Sequence, residues 1–195
     1  MNSLASVKSQ PPWLIAFSIA VAAYWAVLLG HHLQLILEPM PLDLLEPAMH
    51  IMTGFIAQGG NPYAFDALPI YANNYPSLPN LVAVPFTWLF DNGLVLHRSL
   101  SAIYIALCCL LSYQALRKLE LNRVYGMAGA GVLYAALLHY NTPTASVNAL
   151  GQLLFTFCVL YPLIDNFSRR SLALSACAGA LTFYCKQYYL LGPGI

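Results

Sequence analysis

Long stretches without ionisable side chains constrain this chain more than any other feature. Residues 13–35 contain no Asp, Glu, Lys or Arg, and a bilayer-crossing helix needs about 20 mostly apolar residues. Four more apolar runs qualify or nearly so: 99–116, 124–140, 148–164 and 172–191, the last with Lys186 near its far end. Only 8% of the residues are charged and 59% are hydrophobic, against about 25% charged in an ordinary soluble domain. So few charges could not cover a water-facing surface. The pattern predicts an all-α fold, a multi-pass transmembrane bundle of about five spans forming one membrane domain over 1–195. A net charge of +1 excludes a strongly basic nucleic-acid binder, and the apolar content excludes intrinsic disorder. The first run is too long for the apolar part of a signal peptide and no small-x-small cleavage site follows it, so it reads as a retained anchor.

A sixth apolar piece, 78–90, is short and holds Pro79 and Pro85, which suits an interfacial segment better than a span. Charge placement supports that reading. Lys and Arg favour the cytoplasmic side of a membrane. With five spans and the amino terminus inside, Lys8, Arg117, Lys118, Arg123, Arg169 and Arg170 all fall on that side. Arg98 is the exception, placed outside at the entry to the second span. No long targeting region is read in the sequence, so a bacterial inner membrane is the expected location.

This topology leaves one large outer loop, 36–98. It holds Glu38, Asp43, Glu46, Asp66 and Asp91, five of the seven acids, and no Lys or Arg until Arg98. Such a length is too great for a plain connector. Pro47 suits the first turn of a helix. Ala48, Ile51, Met52, Phe55 and Ile56 recur at helical spacing, and Gly59-Gly60 stops the run. A surface helix over 48–58 follows. Glu46, with Asp43 before it, then stands at its start, where a carboxylate can act as a general base or complement the helix dipole.

Further along, Tyr63, Tyr71 and Tyr75 interleave with prolines, and Asn73-Asn74 marks a turn. Aromatic faces and amides suit a sugar; an interfacial aromatic belt is the plainer reading. Lys186 could hold a lipid-linked phosphate or snorkel to the interface. Asn148 opens the fourth span. His31, His32 and His50 show no metal-ligand spacing, and no metal site is expected; a divalent cation stays open without a ligand cluster to support it. Cys108, Cys109, Cys158, Cys177 and Cys185 all lie in apolar runs and read as buried thiols.

Together these motifs resemble the amino-terminal module of the GT-C class of membrane glycosyltransferases. Four segments carry the likeness: Glu46 followed by Gly60-Asn61-Pro62-Tyr63, the stretch NYPSLPNLVAVPFTWLF, the span start SVNALGQLLFTFCVLYPL, and TFYCKQYYLLGP. The resemblance implies sugar transfer from a polyprenyl-phosphate donor to an acceptor glycan, lipid or protein on the outer face. It implies Glu46 and Asp43 as catalytic acids, Lys186 on the donor phosphate, and Tyr63, Asn74, Tyr75 and Asn148 around the sugar. Glu46 stands where many relatives have Asp, and Asn148 where they have Arg and Asp. Relatives usually carry further spans, so the resemblance also implies an incomplete chain. A non-catalytic membrane scaffold or inactive transferase remnant is the alternative.

Overall fold

The computed structural model describes residues 11–64, 66, 75–139 and 144–188. Among them are seven helices and no strand: α1 Pro12–Leu37, α2 Glu46–Ala57, α3 Leu78–Thr87, α4 Leu94–Lys118, α5 Arg123–His139, α6 Asn148–Ile164 and α7 Arg169–Phe183. The all-α expectation holds for the described residues, and each of the five apolar runs and the segments 48–58 and 78–90 contains a helix.

Two helices are long and apolar enough to cross a membrane, α1 with 26 residues and α4 with 25. At 1.5 Å per residue each exceeds the roughly 30 Å hydrocarbon layer. The other three runs make shorter helices of 17, 17 and 15 residues. The last differs most from its expected bounds of 172–191. Its helix ends at Phe183, where the amides of Tyr184, Cys185 and Lys186 turn back onto Leu181 and Thr182. Lys186 therefore lies beyond the helix, in the segment that follows it.

Two of the helices show their local cause. Ser168 caps α7, its hydroxyl accepting the Ser171 amide at 3.1 Å. Pro47 sits in the first turn of α2 as expected. At the other end of α2, Gly59 N–H reaches the Ile56 carbonyl and Gly60 N–H the Phe55 carbonyl, each at 2.9 Å. This paired closure needs a left-handed residue, and Gly59 supplies it with φ of 85°. Gly60 is held small by the Phe55 ring, which a Cβ would meet at 2.5 Å.

The core lies between α4 and α5. Ile105, Cys108 and Cys109 face Ala130, Tyr134 and Leu137, and Trp25 and Leu28 of α1 pack against them. Trp25 donates to the Met127 carbonyl and His32 pairs with the Tyr134 hydroxyl, so α1 is tied to α5 by polar bonds inside an apolar contact. Beyond this core, α4 packs on α6 and α6 on α7. All five cysteines are free thiols; Cys108, Cys109 and Cys185 are buried as expected, whereas Cys158 is half-buried and Cys177 exposed. The α2–α3 pair forms a separate layer, joined by Asn80, whose side chain donates to the Met49 carbonyl and the Thr53 hydroxyl.

Candidate functional site

The segment between α1 and α2 folds back on itself around one buried ion pair. Glu46 and Arg98 both have no exposed surface. Arg98 Nε donates to Glu46 Oε1 at 2.8 Å and Nη2 to Oε2 at 2.6 Å, the two-pronged geometry that guanidinium and carboxylate favour. Arg98 also donates to the carbonyls of Leu35 at 3.0 Å, Met40 at 2.7 Å and Glu38. One side chain of α4 thus gathers the exit of α1. Among the described residues this is the only ion pair.

Glu46 closes the arrangement from the other side. Oε1 also accepts the Ala145 amide at 2.8 Å and Oε2 the Leu42 amide at 2.7 Å. A carboxylate has about four acceptor positions, and all four are filled. Burial alone would raise its pKa, but the Arg98 hydrogen bonds and the two amides outweigh burial and hold it below the ordinary glutamate range. Glu46 therefore does not cap α2, although it opens that helix. Its side chain links its own segment to two others that lie 52 and 99 residues away in sequence.

A general base needs a lone pair that the acceptor's proton can reach. Glu46 offers none in this arrangement, which departs from the role that the resemblance implies for it. Asp43 is more open. It is half-buried, one oxygen accepts the Leu45 amide at 3.1 Å, and it lines a cavity of about 450 Å3 with Pro41, Leu44 and Pro47.

Lys186, Asn148 and Tyr75 come together. Lys186 Nζ donates to Asn148 Oδ1 at 3.1 Å and lies 5.0 Å from the Tyr75 ring centroid, within cation–π range. Tyr188 borders the same ammonium at 5.8 Å. The backbone positions these groups: Leu78 N–H bonds the Tyr184 carbonyl at 3.2 Å, fastening the start of α3 to the end of α7. Residues 144–147 are buried and connect this cluster to the ion pair. Ala145 bonds Glu46, and the Thr144 carbonyl accepts the Ser101 hydroxyl. Three residues after Ala145, Asn148 meets Lys186.

Tyr63 is 61% exposed, and its described bond is a local one, amide to Asn61 Oδ1 at 3.0 Å; the structure does not bring it to Lys186. Asn74 lies outside the described residues. Among the described residues no group of three or more His, Cys, Asp or Glu side chains could hold a metal ion.

Sequence reasoning missed Arg98. Its signal was present: it is the one base that breaks the charge asymmetry, and it stands at the start of a long apolar run. It also missed Asn80, Asn92 and His97. Asn92 donates to the His50 carbonyl at 3.1 Å and pairs with His97 Nε2 at 3.0 Å, fixing α2 to the start of α4. No family model, curated protein or solved structure matches the chain.

Proposed function

We propose that this chain is a GT-C-like module of a membrane glycosyltransferase that moves a sugar from a polyprenyl-phosphate donor to an acceptor on the outer face of a bacterial inner membrane. What supports the reading above all is the convergence of Lys186, Asn148 and Tyr75 from three separate segments. An ammonium held by an amide beside an aromatic ring can bind a phosphate while the ring stacks on a sugar. Asp43 is the catalytic carboxylate in this reading, and Glu46 is a positioning residue. The acceptor hydroxyl oxygen bonds to the anomeric carbon, the bond from that carbon to the donor phosphate breaks, and the proton passes to Asp43. Polyprenyl phosphate leaves with its negative charge on Lys186. The remaining spans of a complete transferase would supply the rest of the site.

The decisive experiment uses decaprenyl phosphate in detergent with the purified chain. A charge-assisted hydrogen bond contributes about 1.5–3 kcal/mol, so Lys186→Gln should weaken its binding roughly tenfold or more, and Lys186→Arg should restore most of it. Decaprenol, which lacks the phosphate, should bind all three proteins alike. Equal affinity of the unaltered protein for decaprenol and its phosphate would overturn the reading. It would favour instead a membrane scaffold, which the complete hydrogen bonding of Glu46 also suits.

The topology that goes with this function has five crossings, α1, α4, α5, α6 and α7, with the amino terminus cytoplasmic and α2 and α3 on the outer surface. Reporter fusions after Ser77 and Leu121 test it. Ser77 should report outside and Leu121 inside; the same side for both would rule it out.

A further inference from the structure

A groove of about 760 Å3 lies between the end of α1, the end of α3 and the first turns of α4. Its volume falls in the range of about 300–1,000 Å3 typical of ligand pockets. Phe86, Phe90, Leu100 and Ile103 line it, while Glu38 and Asp91 supply carboxylates. Both carboxylates are exposed, and among the described residues neither forms an ion pair. Nor does Asp91 cap α4, whose N-cap is Gly93 with no side-chain bond.

Arg98, the base that touches the Glu38 backbone, does not neutralise them. Arg98 donates to the backbone carbonyl of Glu38, and its own charge is paired with Glu46. No other Lys or Arg precedes it as far back as Lys8. Next to the lining residue Phe90, Trp88 and Leu89 follow the end of α3, and the three are 62%, 75% and 76% exposed, an apolar and aromatic surface suited to the boundary between lipid and water. An apolar trough lined also by two carboxylates without an ion-pair partner among the described residues has the charge complement of an amphiphile with a cationic head.

We propose that this groove binds an amine-headed lipid, its acyl chain along Phe86, Phe90 and Ile103 and its ammonium hydrogen-bonded to Glu38 and Asp91. A primary ammonium donates hydrogen bonds that a quaternary one cannot, and an anionic head would be repelled. Phosphatidylethanolamine should therefore be preferred over phosphatidylcholine, and that over phosphatidylglycerol. The inference needs only the membrane placement of α1 and α4, so it stands or falls separately from the transfer reaction.

Native mass spectrometry of the purified protein, equilibrated with an equimolar mixture of the three lipids, tests this. The unaltered protein should retain one phosphatidylethanolamine per chain with a preference of roughly tenfold, as expected for charge-assisted hydrogen bonds. Glu38→Gln with Asp91→Asn should abolish the preference yet still retain lipid. Gly93→Leu should lose all three lipids, because a Cβ there meets nothing within 4 Å and the added side chain enters open space beside the groove. Its melting temperature should match that of the unaltered protein, separating a filled groove from misfolding. Equal retention of the three lipids by the unaltered protein would overturn the proposal, as would a preference that survives loss of both carboxylates, or lipid retention unchanged by Gly93→Leu.

Discussion

Replacing Arg98 by Ala should destabilise the protein by about 3–5 kcal/mol, the usual consequence of leaving one member of a buried ion pair without its partner. Glu46 would keep two backbone amides but lose its counter-charge, and the carbonyls of Leu35, Glu38 and Met40 would lose their donor. Removing both charges with Glu46→Leu and Arg98→Met should cost less than the sum of the single replacements, since no isolated charge then stays buried. Thermal unfolding in detergent measures all of these. The same measurement carries a pH signature. The Glu46 pKa is depressed on folding, so its contribution is complete above the ordinary glutamate value of 4.5 and is lost as pH falls below it, through the lower folded value. Arg98→Ala should flatten that acid-side loss. A variant that melts at the temperature of the unaltered protein would show that the pair does not hold the α1–α2 segment.

On the proposed transfer reaction, Asp43→Asn in a complete transferase should lower turnover of a polyprenyl-phosphate-linked sugar by about a hundred- to ten-thousand-fold, the range that a positioned general base contributes. The amount and heat stability of the protein in the membrane should stay as before, because Asp43 is half-buried and its described bond to Leu45 can be made equally by the Asn side-chain oxygen. Glu46→Gln should behave differently. It leaves the Arg98 charge buried without a counter-charge, so activity and folded protein should fall together. Full turnover in Asp43→Asn would remove Asp43 from the mechanism. Loss of turnover in Glu46→Gln with unchanged heat stability would return the catalytic role to Glu46.

Much of the helical layout was legible in advance. The expected runs 124–140 and 148–164 match α5 and α6 to within a residue, and 48–58 lies close to α2. Hydropathy marks such segments because each must bury or solvate a whole apolar face, and Gly59-Gly60 announces its own turn. Residues 172–191 misled for a physical reason. Their apolar character continues through Tyr184, Cys185 and Tyr188, while the helix stops at Phe183 and a backbone bond from Leu78 takes up the Tyr184 carbonyl. That bond comes from a part of the chain more than a hundred residues earlier, and no local pattern encodes it.

The candidate site divides in the same way. Glu46, Lys186 and Asn148 drew notice as rare polar groups in an apolar chain, and scarcity is a property that sequence alone displays. Which of them meet is another matter. Lys186 found Asn148 and Tyr75, whereas Tyr63 stayed apart and Glu46 was taken by Arg98. By itself, the sequence determined an all-helical chain built on five long apolar runs, because apolar surface and helical period are local quantities; the structure makes helices long enough to cross a bilayer from two of them. Only the tertiary structure decided that the most prominent acid is closed and that Lys186 sits between an amide and an aromatic ring. A buried charge takes the partner that packing delivers, and that choice depends on contacts between residues far apart in the chain.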